Sequence, residues 1–473
     1  MSTTVAPATL AKTLGDGWQR PRNAAQGLAD ALRALVVDGR LAVRTRIPSE
    51  RALAPELGLS RGTVSRAYDR LREDGYLTSA RGAGSWLTLP AGAGPAPPPS
   101  TFAGARGLDL SIAALPAPEP LLSEAAARAA AQLPRHAPGF GFAAAGIAAL
   151  REAVAARFTE RGVPTGADQI LITNGAQQAL HLLLTLLVAP GDRVLVDAPA
   201  YPRTLSAIRG ARARAVPVPL TPAGWDVDAW TQAVTAAAPR LAITIPDHHN
   251  PTGITMAAAQ RAALAHVCAR AGVTLIADET TAELRLDGPH APAPLASHDS
   301  AVVTVGSMSK SAWGGLRIGW VRAAPRLVRE LAAARADHDI ASPVLEQLIA
   351  TELLAHWEET LANRRALIAP RRDALLKALP QSWKARRPHG GLSAWVRLPA
   401  PVATRLAAAA ARERILITPG PSFSVDGTFE HHIRLPYCAP PEDLERAVGT
   451  LSELAQGLGA TSTDAPEPLP TAV

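Results

Sequence analysis

The chain has 473 residues, a formal net charge of +7 and 47% apolar residues. Such a length predicts two to four domains, and the apolar fraction is sufficient for a sizeable core. The chain holds only two cysteines, Cys268 and Cys438, which excludes a disulfide framework, and neither has metal-ligand spacing.

The first residues, Met1–Leu10, lack the charged stretch followed by an apolar stretch that marks a secretion signal. The longest apolar run, Ala179–Ala189, is far too short to span a bilayer. We therefore expect a cytoplasmic protein in which both cysteines are reduced core residues.

The N-terminal part of the chain is the most basic, because residues 1–90 carry 13 Lys plus Arg against 8 Asp plus Glu. This asymmetry suggests a nucleic-acid partner. Between Gln26 and Leu87 the pattern predicts two helices, a turn, a third helix and a hairpin. Ser49 is a good N-cap for a helix over Glu50–Leu57. The first helix has an apolar stripe of Leu28, Leu32, Leu35 and Val36.

The helix that begins after Ser60 has the pattern of a recognition helix. Its inward positions are Val64, Ala67, Tyr68 and Leu71. Arg61, Thr63 and Ser65 face outward near its start, where a recognition helix places side chains at base edges. The segment from Gly75 to Leu87 then predicts a two-stranded wing with a basic, glycine-rich tip. The alternative is an ordinary three-helix bundle with solvated arginines.

The stretch from Ile47-Pro48-Ser49-Glu50-Arg51 to Asp74-Gly75-Tyr76-Leu77 resembles the GntR family of winged-helix regulators. That resemblance implies a DNA-binding domain over residues 19–89 and double-stranded DNA as a partner. The positions that it implies for DNA contact are Arg51, Ser60, Arg61, Thr63, Ser65, Arg81 and Gly82.

Residues 90–107 are rich in proline, glycine and alanine, and they predict an extended linker because such a stretch cannot bury apolar surface. A large module follows over residues 108–458. The final residues, 459–473, are again rich in proline, threonine and alanine and predict a disordered tail.

The large module alternates strand-like and helix-like segments. Its short, β-branched apolar runs are Arg193–Val196, Leu241–Ile245, Val273–Ala277 and Ala301–Val305. This alternation predicts an α/β domain with a mostly parallel sheet between helices. Because ligands bind beyond the carboxyl ends of such strands, the residues that follow each run are the candidates for a site.

Lysine is scarce in this chain: only four of the 48 Lys plus Arg residues are lysine. One of them, Lys310, comes soon after the run Ala301–Val305. In the same way, Asp278 follows Val273–Ala277 and Asn250 follows Leu241–Ile245. Gly175 opens a helix after Ile170–Ile172. Each residue also has an ordinary explanation, as a surface lysine, a strand-end cap, an Asn-Pro-Thr-Gly turn or a helix start.

Together these residues supply what an aldehyde cofactor needs. A buried lysine can lose its proton and form an imine with a carbonyl, whereas a guanidinium stays protonated. A carboxylate keeps a pyridinium nitrogen protonated, so that the ring accepts electrons. An amide can donate to the phenolic oxygen, and hydroxyls, a helix N-terminus and an arginine can neutralise the phosphate.

This set resembles the fold-type I pyridoxal-phosphate enzymes, the aspartate-aminotransferase superfamily. The resemblance implies that Lys310 forms the Schiff base, Asp278 pairs with the pyridinium nitrogen and Asn250 binds the phenolic oxygen. It places Tyr201 where an aromatic ring stacks on the cofactor. Around the phosphate it implies Gly175, Ala176, Ser307, Ser309 and Arg317.

Two more arginines fall where relatives bind the carboxylate of a substrate or an effector. Arg434 lies in His432-Ile433-Arg434-Leu435, and Arg203 follows Tyr201 and Pro202. For Arg203, a surface arginine at a helix start is an equally good explanation. Two positions depart from the family: Ala176 replaces a serine that often donates to the phosphate, and Thr280 replaces a tyrosine that commonly bonds the phenolic oxygen.

The fusion of a winged helix, a linker and an aminotransferase-like domain resembles the MocR subfamily of GntR regulators over essentially the whole chain. That implies a homodimeric regulator on paired half-sites, which senses pyridoxal phosphate or an amine or amino-acid effector. Two alternatives stay open: a working aminotransferase with an appended DNA-binding domain, and a DNA-binding protein with a vestigial pocket.

Overall fold

The computed structural model of the protein describes residues 4–15, 18, 24–37, 41, 45–80, 84–88, 107–288 and 292–459. The chain divides into two compact units. The first unit comprises Met1–Asp109, Arg397–Ile433 and Thr450–Val473, and the second comprises Leu110–Val396 and Arg434–Gly449. Most of the predicted linker and the predicted tail from residue 460 onward lie outside the described residues.

The first unit contains the predicted winged helix. Its helices are Pro7–Leu14, Ala24–Val37, Glu50–Glu56 and Arg61–Glu73, and its strands are Arg46–Ile47, Leu77–Ala80 and Gly84–Leu87. The N-caps are as predicted: Ser49 accepts a hydrogen bond from the Ala52 N–H, and Ser60 accepts one from the Thr63 N–H. The predicted inward residues are confirmed in one core: Leu28, Leu32, Leu35, Val36, Val64, Ala67, Tyr68 and Leu71.

Two features of this domain differ from the pattern expected from sequence. A helix over Pro7–Leu14 precedes residue 19, the predicted start of the domain. Its Leu10 is fully buried and packs in the core of the domain. The wing has a third strand, since Arg46–Ile47 pairs antiparallel with Gly84–Leu87. The rest of the first unit includes strands Leu108–Leu110 and Ile415–Pro419, helix Ala403–Arg412 and the 3₁₀ turn Gly420–Phe423.

The second unit is built on an eight-stranded sheet. In spatial order its strands are Ile170–Thr173, Gly319–Arg322, Val303–Ser307, Thr274–Asp278, Leu241–Thr244, Arg193–Ala198, Arg214–Thr221 and Gly224–Trp225. The four predicted strands are present, although the last begins at Val303 rather than Ala301. The sheet is mixed, because Gly319–Arg322 runs antiparallel to both of its neighbours.

Both faces of this sheet are buried, as expected for strands with helices on each side. Successive side chains of a strand point to opposite faces, so neighbours in sequence enter different cores. Leu195 packs in one core, whereas Val194 and Val196 pack in the other. This sandwich holds the carboxyl ends of the parallel strands at one edge.

Helices cover the sheet and connect its strands. They are Leu121–Gln132, Ala148–Glu160, Ala176–Leu187, Pro202–Gly210, Val227–Ala237, Ala258–Arg270, Met308–Ser311, Pro325–Ala334, Val344–Ala355 and Trp357–Ala378, with 3₁₀ turns at Leu133–Arg135, Ala167–Gln169, Leu295–Ser297, Gly314–Leu316 and Arg335–Asp337. The remaining elements are the strands Lys384–Ala385, Ser393–Arg397 and His432–Pro436 and the helix Pro441–Gly459. Within the described ranges, no helix has the length and apolar character to cross a membrane.

Candidate functional site

Three parallel strands bring the predicted cofactor residues to one edge of the sheet. In register, Asp278 lies opposite Val305 on one neighbouring strand, and Ala277 lies opposite Thr244 on the other. The chain leaves these strands toward Asn250 and Lys310. The candidate residues therefore share the edge at which α/β sheets bind ligands.

Lys310 lies on the four-residue helix Met308–Ser311, directly after its strand. Its Nζ donates a hydrogen bond of 2.6 Å to the carbonyl oxygen of Ala113. Ser307 caps this short helix: its Oγ accepts from the Ser309 N–H at 3.1 Å and lies 3.0 Å from the Ile318 carbonyl oxygen. The predicted phosphate ligand Ser307 thus caps the helix that carries Lys310.

The electrostatic surroundings of Lys310 favour its neutral form. Burial, the largest cause, lowers the pKa of Lys310 to about 8, and Arg434 and Arg203 act in the same direction. Cys438 and Asp278 oppose this shift. The fold therefore brings Asp278, Arg203 and Arg434 within electrostatic reach of Lys310, although these residues are far apart in sequence.

Asp278 is held by the residue two positions later. Thr280 donates to its Oδ1 twice, from the backbone N–H at 3.0 Å and from its hydroxyl at 2.5 Å. Burial raises the pKa of Asp278, and the bonds from Thr280, with the charges of Lys310 and His249, act against that rise. The hydroxyl of Thr280, which replaces a tyrosine of the family, therefore donates to the carboxylate of Asp278.

Asn250 and Tyr201 are the other two residues predicted to contact the ring of the cofactor. The side-chain oxygen of Asn250 is buried and has no hydrogen-bond partner among the residues the structure describes. Tyr201 is half-buried at the N-cap of the helix Pro202–Gly210, and Arg203 is exposed on its first turn. A buried amide oxygen without a hydrogen-bond partner is costly, so the side chain of Asn250 has the character of a ligand-binding group.

Gly175 and Arg317 form a cradle at the start of the helix Ala176–Leu187. Gly175 has a φ of +83°, and a Cβ there would lie 2.6 Å from Arg317 Nη2. Arg317 in turn donates to the Asn174 carbonyl oxygen at 2.8 Å. A helix start of this kind, with unpaired backbone N–H groups and a guanidinium beside it, suits an anion such as a phosphate. Ala176 is the first helical residue of this cradle.

Arg434 approaches the same edge from the C-terminal part of the second unit. The side chain is buried, and its Nη2 donates to the carbonyl oxygen of Ser111. Its charge acts on Lys310. A guanidinium in this position is suited to a carboxylate on a molecule that reacts at the lysine.

Sequence reasoning missed Asp197, which lies on the strand Arg193–Ala198. Its carboxylate accepts from Trp225 Nε1 at 2.8 Å, from Thr244 Oγ1 at 2.9 Å and from the Ile245 N–H at 3.1 Å. His249 Nε2 lies 3.5 Å away. An acidic residue directly after the apolar run Arg193–Val196 is the signal that could have revealed it, because a buried carboxylate needs such partners.

A second missed feature is the ion pair between Arg161 and Glu279, whose closest atoms are 2.7 Å apart. Glu279 is buried directly beside Asp278 in sequence, and burial raises its pKa although Arg161 opposes the rise. Nothing local to either residue predicts the pair, because it joins two elements that are distant in the chain.

The residues predicted to contact DNA at the start of the helix Arg61–Glu73 differ in their exposure to solvent. Arg61 and Ser60 are exposed, whereas Thr63 and Ser65 are half-buried. The hydroxyls of Ser60 and Thr63 are 2.8 Å apart, so the cap of the helix orders both. Arg51 is exposed on the preceding helix, Glu50–Glu56.

Two predicted DNA contacts, Arg81 and Gly82, lie outside the described residues. The strands on either side of them, Leu77–Ala80 and Gly84–Leu87, pair antiparallel as the wing requires. No group of three or more potential metal ligands occurs among the described residues. Both cysteines are free there, Cys268 buried and Cys438 half-buried.

Comparisons with known proteins match two separate parts of the chain. Residues 106–451 match the family described as aminotransferase class I and II, and residues 24–86 match the bacterial regulatory proteins of the gntR family. The uncharacterized HTH-type transcriptional regulator YdcR of Escherichia coli (strain K12) is 28% identical over 91% of this chain and 98% of its own length.

Two further similarities concern the large module. The probable rhizopine catabolism regulatory protein MocR of Rhizobium meliloti is 31% identical over 63% of this chain and 65% of its own length. The solved structure of LysN, the α-aminoadipate aminotransferase of Thermus thermophilus complexed with N-(5'-phosphopyridoxyl)-L-leucine, has a TM-score of 0.68. It is 30% identical and covers 75% of this chain and 94% of its own.

Proposed function

Because the chain belongs to the aminotransferase class I and II family and carries a GntR-family domain, the architecture of MocR regulators, we propose that it is a pyridoxal-phosphate-dependent DNA-binding transcriptional regulator. Its large domain binds the cofactor and responds to it or to an amine or amino acid. The supporting observation is that one chain combines a capped, exposed recognition helix with a lysine of lowered pKa beside Asp278.

The residues fit pyridoxal phosphate, and we assign each a role on that basis. Lys310 supplies the amine that captures the aldehyde, and Asp278 holds the pyridinium nitrogen in its protonated form. We assign the side-chain amide of Asn250 as the donor to the phenolic oxygen; its side-chain oxygen is buried without a partner among the described residues. Tyr201 contributes the stacking ring. When bound, the cofactor supplies an electron sink conjugated to the captured amine.

The phosphate end is assigned to the cradle of Gly175 and Arg317, with the backbone of Ala176 and the hydroxyl of Ser309. A side chain at position 175 would be strained by the φ of +83° and would displace the Arg317 guanidinium, so glycine lets the backbone approach an anion closely. Gly319 has a related role, because a Cβ there would lie 2.6 Å from the carbonyl carbon of Gly175. Ser307 contributes mainly by capping the helix that carries Lys310.

Among the effectors left open above, two arginines favour one that carries a carboxylate in addition to its amine. Arg434 and Arg203 both act electrostatically on Lys310, so an amine that reacts there is accompanied by two guanidinium groups. Arg434 is buried and Arg203 is exposed, which suits a carboxylate that enters from solvent and is then enclosed. The ligand can regulate DNA binding only if it favours one arrangement of the protein over another.

A homodimer would set the spacing between two recognition helices on paired half-sites. The second unit exposes large apolar side chains in two stretches of the chain. Phe140 is 94% exposed and Phe142 is 72% exposed, and Ile340 is 50% exposed. Apolar residues exposed to this degree are typical of a surface that another chain covers.

A second candidate function is transamination with DNA binding as an accessory. The observation that favours it is that Lys310, Asp278 and Arg434 together form the charge pattern of an amino-acid site. An absorption titration of the purified protein with pyridoxal phosphate, followed by amines and amino acids, separates the two. The regulator requires a ligand-dependent spectrum and a changed affinity for a duplex selected from a randomised pool. Release of a 2-oxo acid at every turnover, with unchanged DNA affinity, would instead favour the enzyme.

A further inference from the structure

A polar network lies behind the cradle of Gly175 and Arg317, and none of the roles above uses it. Gln178, on the first turn of the helix Ala176–Leu187, accepts a hydrogen bond from the Asn174 backbone N–H at 2.6 Å. Asp339 accepts from both side-chain amides, from Asn174 Nδ2 at 2.6 Å and from Gln178 Nε2 at 2.6 Å. A single carboxylate thus holds both residues that bracket the start of the helix.

Arg335 anchors this carboxylate. Its Nε and Nη2 donate to the two oxygens of Asp339 at 2.7 and 2.9 Å, and its side chain is fully buried. The guanidinium also binds the Ile172 carbonyl oxygen at 2.6 Å and Ser342 Oγ at 2.8 Å. It therefore ties Asp339 to the strand that leads into the cradle.

Hydrogen bonds keep Asp339 in the ionised form, which the network requires. Burial alone would raise its pKa, but the hydrogen bonds from Arg335 and Gln178 outweigh this and lower the pKa below the ordinary value. An ionised carboxylate accepts only, so it holds both amides with their N–H groups turned toward it. Each amide is consequently fixed in one orientation.

We propose that Gln178 and Asp339 are positioning residues for the phosphate of the cofactor, an inference that rests on the proposed function of this site. A phosphate binds at a helix start only if the backbone N–H groups there point at it. Gln178 removes the Asn174 N–H from that set and sets the angle at which the chain enters Gly175. Arg317 completes the arrangement through the Asn174 carbonyl oxygen.

The variant that tests this role is Gln178→Ala, with Gln177→Ala as its matched control. Gln177 is the adjacent glutamine, and its side chain is exposed. Dissociation constants are measured by absorption titration with pyridoxal phosphate and with pyridoxal, which lacks the phosphate. We expect Gln178→Ala to weaken binding of pyridoxal phosphate about tenfold and to leave pyridoxal unchanged, because hydrogen bonds to charged groups contribute at this scale.

Equal weakening of both aldehydes would overturn the proposal, because it would mean that Gln178 supports the fold and not the phosphate. Unchanged binding of pyridoxal phosphate would overturn it as well. Asp339→Asn provides a second variant with the same expected selectivity. If the unmodified protein binds neither aldehyde, the proposed function itself fails. If it binds both and Gln178→Ala matches it, only the positioning role fails.

Discussion

Thr280 donates its hydroxyl to Asp278, with 2.5 Å between Oγ1 and Oδ1. This bond joins a residue that departs from the family pattern to the carboxylate that we propose holds the pyridinium nitrogen. Burial raises the pKa of Asp278, whereas Thr280 works against that rise. The threonine thus helps to keep the carboxylate ionised at the position where the pyridinium nitrogen is expected.

Removal of this hydroxyl should therefore weaken cofactor binding. In Thr280→Val the pKa of Asp278 would rise further, so the carboxylate would be protonated up to a higher pH. We expect about tenfold weaker binding of pyridoxal phosphate, with a loss that grows as the pH falls. Absorption titrations at several pH values measure this. Thr281→Val is the control, because Thr281 donates instead to the Asp247 carbonyl oxygen; an equal effect in both variants would contradict the role of Thr280.

Replacement of the lysine should abolish covalent capture of the cofactor. We expect Lys310→Ala to lose the visible absorption band of bound pyridoxal phosphate entirely, because the group removed is the only amine placed beside Asp278 in the described site. Its circular dichroism should stay unchanged. Lys377→Ala is the matched control, since Lys377 is an exposed lysine. A band that persists in Lys310→Ala would refute the assignment.

The lowered pKa of Lys310 predicts how capture depends on pH. Only the neutral amine attacks an aldehyde, and burial brings the pKa to about 8. The rate of capture by the apoprotein should rise roughly tenfold per pH unit below that value and level off above it. Nα-acetyl-lysine, measured in parallel, corrects for the titration of the aldehyde itself. A rate that continued to climb well above the pKa would mean that the lysine is not buried as described.

Arg61 should contribute to DNA affinity because it is exposed on the first turn of the candidate recognition helix. We expect Arg61→Ala to weaken binding to a selected duplex by roughly 10- to 100-fold, the range for a guanidinium that contacts a base. Fluorescence anisotropy at fixed salt measures the effect. Arg209→Ala removes the same charge from an exposed position on a helix of the second unit and should leave the affinity unchanged. Similar losses in both variants would indicate a general charge effect.

Arg434 should determine the response to the effector carboxylate. In Arg434→Ala, we expect amino acids to shift the absorption spectrum only at about tenfold or higher concentration, because a charge-assisted contact is lost. Amines without a carboxylate should act at the same concentration as before, and they serve as the internal control. A parallel loss for both classes of ligand would point to damage at Lys310 instead.

Much of this protein follows from local sequence. The serine caps at Ser49 and Ser60 and the apolar positions of the recognition helix depend only on neighbours within a few residues, and they lie as predicted. The residues that follow the parallel strands leave the sheet at one edge, because parallel strands end on the same side. The proposed roles of Asn250, Asp278 and Lys310 likewise came from the sequence motifs and not from coordinates.

Other features depended on packing between distant elements. The network of Asn174 and Asp339 joins residues 165 positions apart, and the partners of Asp197 come from separate segments of the chain. The antiparallel strand Gly319–Arg322 shows the same dependence, since its neighbour Ile170–Thr173 in the sheet is far away in the chain.

The chemical identity of the site was therefore determined by sequence, because a lysine, a carboxylate and an amide keep their chemistry wherever they lie. The pKa values of these groups were decided by the tertiary structure. A pKa depends on burial and on charges nearby in space. Burial, the largest cause, lowers the pKa of Lys310 to about 8, and Arg434 and Arg203 act in the same direction. Those charges come from separate parts of the chain, so no local pattern could specify them.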